Sequence, residues 1–184
     1  FISERRFAEP IGLADDIAIA LDELAADLCV LLERHGRGGR IFEATFYRAD
    51  GATRRIEAMS GRPLREEKAL AKLFMTRLDA LADPVDPGFG FDMIRLGVVL
   101  HEESAAMQVS LDRESAEAET LANLVDRLTA RFGAASVERF VPRDSHMPEH
   151  AARRVPAVSA RQAVADWPDL PQGEPATRPV LFLS

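Results

Sequence analysis

Apolar residues recur along the chain at two periods, three-to-four and two, and the switches between them mark out its elements. Residues 5–11, RRFAEPI, read as a short strand. Asp15 or Asp16 then offers an N-cap carboxylate, and apolar positions follow at Ile17, Leu21, Leu24, Leu28, Leu31 and Leu32. Steps of three and four gather these on one stripe of a helix. Gly36 stands where a helix C-terminus favours a left-handed residue, and Gly38-Gly39 extend the break. The period drops to two across residues 40–62, RIFEATFYRADGATRRIEAMSGR, which read as a β-hairpin. A second helix is expected from about Leu64 to Leu81, burying Leu70, Leu73, Phe74, Leu78 and Leu81 and ended by Pro84 and Pro87. FGFDMIRLGVVLH (89–101) predicts a strand with Ile94, Leu96 and Val98 on one face. Through about residue 103 the order is β-α-β-β-α-β. That is an α+β fold of the ferredoxin-like, split kind, with two helices on one face of a four-stranded antiparallel sheet.

Beyond residue 104 the pattern changes. The reading divides the chain into a domain over 1–104 and an extension over 105–184. The extension opens with a linker and continues with an amphipathic helix at about 114–132, with Ala118, Leu121, Leu124, Val125 and Leu128 on one side. A short strand, SVERFVP, follows. A proline-rich tail covers 155–179, and RPVLFLS reads as the opening strand of something cut off. No internal repeat is visible.

The hairpin's register decides which of its arginines are free. Asp50-Gly51 invites a two-residue turn, but that would put Phe46 beside Arg55 and turn Ile56 and Ala58 away from the phenylalanines. A three-residue loop, Ala49-Asp50-Gly51, pairs Phe46 with Arg54, Ala44 with Ile56 and Phe42 with Ala58. The apolar set then shares one face, and a one-residue slip would split it. Gly51 falls where such a loop needs a left-handed residue. The outer face then carries Thr45, Tyr47, Thr53 and Arg55, with Arg48 and Arg54 near the tip, Arg62 at the far end, and Arg95 from the last strand. Hydroxyls and arginines on an open sheet face suit phosphate oxygens, because the guanidinium donates in a fork and hydroxyls add shorter contacts. A solvated antiparallel face is polar by default, and that reading stays open beside the first. Glu43 and Glu57 sit on the same face, directly opposite each other, an arrangement that like charges resist.

Charge sharpens the question. The net charge is −7, with 47% hydrophobic and 29% charged residues, the profile of an ordinary soluble chain. That charge argues against a generally basic nucleic-acid binder. A local basic strip is not excluded, since screening acts beyond about 8–10 Å at physiological salt. No apolar run approaches a membrane span. No signal peptide is visible, and the chain opens in mid-pattern at Phe1, as a fragment would. A single cysteine, Cys29, excludes an intrachain disulfide and sits beside Leu28 on the buried side of the first helix, as a core thiol does. HMPEH (146–150) matches an inverted zinc-protease pattern, but Pro148 defeats a metal-binding helix there, so no metal is expected. There is no phosphate-cradling glycine loop, no nucleophile elbow and no pair of catalytic carboxylates. No cofactor is implied.

In order and spacing, RRFAEPI, FYRADGATRRIEAMSGRPLRE, DPGFGFDMIRL, LANLVDRLTARFG and ERFVPRDSHMPEHAARRVP resemble the C-terminal half of ImuB-type proteins. These are catalytically inactive relatives of Y-family translesion DNA polymerases, found in bacterial mutagenic repair. The resemblance covers most of residues 4–156. It implies that residues 1–103 correspond to the little finger, the domain with which these polymerases grip template-primer DNA, and that the outer sheet face binds the DNA backbone. It places palm, fingers and thumb before Phe1, and with them any polymerase metal site, so no enzymatic activity is expected. It further implies an adaptor in the bacterial cytoplasm, at the nucleoid, with the sliding clamp, an ImuA-like protein and an error-prone replicative-type polymerase as partners. No membrane partner is expected.

AMQVSLDR (106–113) bears on the clamp. Sliding-clamp peptides use a Gln for a small polar pocket and a Leu with an aromatic for an apolar one. Gln108, Val109 and Leu111 fit, while Asp112 takes the aromatic place. The alternative is a linker into the next helix. Trp167, in AVADWPDLP, is the lone tryptophan and fits either an anchor for a partner or a residue tucked back on its own domain. Three function classes remain: a DNA-binding adaptor, a protein-interaction module without DNA, and a small-molecule enzyme for which no convergent catalytic set is present.

Overall fold

The computed structural model describes residues 1–104, 113–145 and 147–159, with side chains except at 113–119 and 148. The elements are β1 (Ile2–Ile11), α1 (Ala14–Arg34), β2 (Arg37–Arg48), β3 (Thr53–Leu64), α2 (Glu67–Asp79), β4 (Phe91–Glu103), α3 (Arg113–Phe132), β5 (Glu138–Pro142) and β6 (Ala152–Pro156). The first six follow the expected β-α-β-β-α-β order. Their sheet is antiparallel and runs β1-β4-β2-β3. Each helical crossover therefore steps over one strand, β1 to β2 across β4 and β3 to β4 across β2, which is the split arrangement.

The core lies between one sheet face and the helices. Phe42, Ala44 and Phe46 of β2, Ile56 and Ala58 of β3, and Ile94 and Leu96 of β4 meet Leu21, Leu24, Leu28 and Leu32 of α1 and Leu70, Leu73 and Phe74 of α2. Phe42, Phe46, Phe74 and Phe91 are fully buried, each contributing about 1.5–3 kcal/mol by transfer from water. The hairpin takes the three-residue loop. Phe46 pairs with Arg54, Ala44 with Ile56 and Phe42 with Ala58, and Gly51 has φ +86°.

Several boundaries differ from the sequence reading. Leu13 occupies the N-cap of α1, its carbonyl accepting from the Ile17 N–H, and no side chain caps the helix. Asp15 and Asp16 instead lie in the first turn, where they face the positive end of the dipole. Gly38-Gly39 belong to β2, not to a break before it. A Cβ on Gly39 would lie 2.2 Å from the Phe42 ring and one on Gly38 2.6 Å from Pro63, so this end of the strand closes only with glycine. Leu64 ends β3, paired opposite Gly39 and buried, so α2 starts at Glu67.

The extension packs against the first sheet and helices. α3 lies beside α2 and against β3, turning Asp126, Thr129 and Ala130 inward. The apolar side read from the sequence is not the side that docks: Leu121 is 62% exposed and Leu124 48%, while Val125 and Leu128 are half-buried. The side that docks is chosen by hydrogen bonds. Asp126 accepts from the Ser60 hydroxyl at 2.7 Å and the Gly61 N–H at 2.6 Å. The expected strand at SVERFVP is β5, and β6 pairs with it antiparallel.

Candidate functional site

On the sheet face away from the helices, three ladders align into rows. Glu4 stands opposite Arg95, Arg95 opposite Thr45, and Thr45 opposite Arg55. Toward the hairpin tip the next row is Arg6, Met93, Tyr47 and Thr53, and away from it Ile2, Gly97, Glu43 and Glu57. Side chains alternate between faces along a strand, so Phe46 and Ile56, which face the helices, dictate that Thr45, Tyr47, Thr53 and Arg55 point outward. Glu43, Thr45, Tyr47, Arg55 and Arg95 line an open depression of about 280 Å³.

The cations of this face are not equivalent. Arg95 donates from Nη2 and Nε to Glu4 Oε2, at 2.9 and 3.1 Å, and lies 5.6 Å from the Tyr47 ring centroid. The aromatic face and the carboxylate together hold the guanidinium in place. Arg55 is exposed and makes no ion pair with any described residue. Thr45 is 4% exposed, and its hydroxyl donates to Glu43 Oε1 at 3.3 Å. Arg6, Arg55 and Arg95 are balanced in these rows by Glu4, Glu43 and Glu57, and Glu43 directly opposes Glu57.

The structure brings together Thr45, Tyr47, Thr53, Arg55 and Arg95, but not the other three arginines of the predicted set. Arg48 closes the turn. It pairs with Asp50, which also accepts from the Ala52 N–H, and reaches Asp86 at 3.3 Å. The Arg48 guanidinium, with the Ala52 N–H, holds the Asp50 carboxyl below its ordinary range. Arg54 faces the helix side and binds Asp83, after α2, at 3.2 Å. Arg62 donates to Asn123 of α3 at 3.0 Å, so it ties the extension down. Arg40 does the same from the interior, donating to the Val158 carbonyl at 3.2 Å and lying 3.6 Å from Glu102. Sequence reasoning missed Arg6 and Glu4. Their alternation with Ile2 in ISERRFAEPI was a usable signal, but their place depended on β1 pairing with β4.

The remaining sequence candidates lie away from this face or outside the described residues. Among the described residues no cluster of His, Cys, Asp or Glu could hold a metal. Residues 148–150 form one 3-10 turn, which offers no helical face for ligands. Burial, reinforced by nearby Glu67, Glu66 and Glu33, pushes the Cys29 thiol up to about 12, as befits a core thiol. No helix of the described residues is long and apolar enough to cross a membrane. Gln108, Val109, Leu111, His146 and Trp167 lie outside the described residues.

Residues 1–112 match the model of the impB/mucB/samB family C-terminal domain. Protein ImuB of Caulobacter vibrioides, in strains NA1000 / CB15N and ATCC 19089 / CIP 103742 / CB 15, is 38% identical over 169 residues. That alignment covers 90% of this chain and 36% of the relative, so the chain spans about a third of the protein it resembles. Among solved structures, the little finger domain of PolIV, in complex with the β-clamp processivity factor, is similar at 17% identity and a TM-score of 0.42. That likeness covers 60% of this chain and 96% of that one.

Proposed function

The chain belongs to the impB/mucB/samB family by its C-terminal domain, and on that premise we propose that it is the DNA-binding and adaptor region of an ImuB-like, non-catalytic relative of Y-family polymerases. Its process is translesion synthesis and damage-induced mutagenesis. The observation that carries the DNA reading is Arg55: exposed, in register with Thr45 and Arg95, and free of any carboxylate among the described residues. In this reading Arg55 meets a backbone phosphate with its forked donors, Thr53 and Tyr47 add hydroxyl contacts, and Arg95 exchanges Glu4 for phosphate. Glu43 and Glu57 keep the grip weak, so that partners supply part of the affinity.

Primer-template DNA titrated at two salt concentrations tests this. Arg55→Ala should weaken binding and reduce the salt slope by about 1. An unchanged slope would remove Arg55 from the interface. The adaptor half assigns Gln108, Val109 and Leu111 to the sliding clamp, and the extension to an ImuA-like protein and an error-prone replicative-type polymerase. A clamp pull-down that Gln108→Ala with Leu111→Ala leaves intact would sink the clamp assignment.

The opposed Glu43 and Glu57, with the net charge of −7, favour a second reading, a protein-interaction module without DNA contact. Absence of salt-dependent DNA binding in the same titration would select it.

A further inference from the structure

α3 docks through Asp126, Thr129 and Ala130, which leaves an apolar strip on its other side. Leu124 is 48% exposed and Phe132 64%. Between this strip and α2 runs an open groove of about 680 Å³, with Leu124, Leu128 and Phe132 along one wall and the cations Lys72, Arg127 and Arg131 around it. Asp79 is the one carboxylate among the lining residues. Such a groove takes a short segment with an aromatic and an aliphatic side chain flanked by carboxylates.

This chain carries one. Residues 165–170 read ADWPDL, with Trp167 and Leu170 as apolar residues and Asp166 and Asp169 as their acidic neighbours. Reach is satisfied. The described residues end at Ser159, next to Val158, whose carbonyl is held by Arg40 and whose backbone approaches the Cβ position of Gly61 to 4.0 Å. Gly61 donates to Asp126, so the chain leaves this body beside the middle of α3. From Asp126, Leu128 and Phe132 lie about 3 and 9 Å along the helix axis at 1.5 Å per residue. From Ser159 to Trp167 the chain can span up to about 27 Å.

We propose that residues 165–170 dock in the α2–α3 groove of the same molecule, with Trp167 and Leu170 against Leu124, Leu128 and Phe132, and Asp166 and Asp169 facing Lys72, Arg127 and Arg131. The segment is tethered, so its effective concentration at the groove is high.

Trp167 is the lone tryptophan, and its fluorescence in the full chain reads the contact directly. Its emission should be blue-shifted, and its quenching by acrylamide several-fold lower than in a free peptide of residues 160–175. Leu124→Lys with Phe132→Lys, both at exposed positions, should restore peptide-like emission while far-UV circular dichroism is unchanged. Asp166→Lys with Asp169→Lys should raise quenching without touching the folded body. Phe140→Lys, on β5, should change neither. Peptide-like quenching in the unaltered chain would overturn the proposal. So would protection indifferent to Leu124→Lys with Phe132→Lys, or protection lost on dilution, which would mean a second copy supplies the segment.

Discussion

Replacing Asp126 with alanine tests what holds the extension to the sheet. The carboxylate is buried on α3 and accepts from Ser60, itself 1% exposed, and from the Gly61 N–H. Removing the acceptor leaves the buried Ser60 hydroxyl and the partly buried Gly61 N–H unsatisfied, at about 1–3 kcal/mol each, and relief of the carboxylate's desolvation offsets part, leaving a net loss of about 2 kcal/mol. With a urea m-value of about 2 kcal/mol/M, the midpoint should fall by about 1 M. Asp126→Asn keeps an acceptor for Gly61 and an amide for Ser60, and should lose about half as much. Urea unfolding followed by circular dichroism makes the comparison. A midpoint unchanged by Asp126→Ala would mean that these two bonds do not hold α3 in place.

Burial pushes the Asp126 carboxyl above its ordinary 3.8, while Gly61, Ser60, Arg62 and Arg40 pull the other way. The folded chain then holds this proton more tightly than the unfolded one. The linked stability is fully present below 3.8 and is lost as pH rises through the raised folded value. Asp126→Asn should flatten that part of a stability–pH profile, and an equally steep profile in the variant would contradict the assignment. Gly39→Ala places a methyl 2.2 Å from the buried Phe42 ring and should cost about 1–3 kcal/mol in denaturant unfolding; a neutral result would mean that β2 shifts freely there. Phe46→Ala, at a fully buried position, should cost about 3–5 kcal/mol by the same assay.

The outer face was legible because two local signals agreed. Phe42, Phe46, Ile56 and Ala58 alternate, and only the three-residue loop puts them on one side. That alternation alone separates Arg55 from its neighbour Arg54. What escaped depends on partners distant in sequence. Gly38-Gly39 read as a helix stop, since nothing local reveals that Pro63 of β3 fills the space above Gly38. Arg62 looked like one more hairpin arginine until α3 supplied Asn123. In α3 the periodicity grouped Leu121 with Leu124 correctly, but could not say which side would dock. That choice fell to a polar residue, Asp126, whose partners lie 65 and 66 residues upstream in β3.

The central claim is that the hairpin's register divides its arginines between a structural side and the open side proposed to meet DNA. Arg54 and Arg55 are adjacent in sequence, one bound to Asp83 behind the sheet and the other open in front of it. The direct test is the salt dependence of primer-template binding for Arg54→Ala and Arg55→Ala side by side. The account predicts a slope reduced by about 1 for Arg55→Ala and the unaltered slope for Arg54→Ala. Equal slopes in the two variants, or a loss confined to Arg54→Ala, would contradict it.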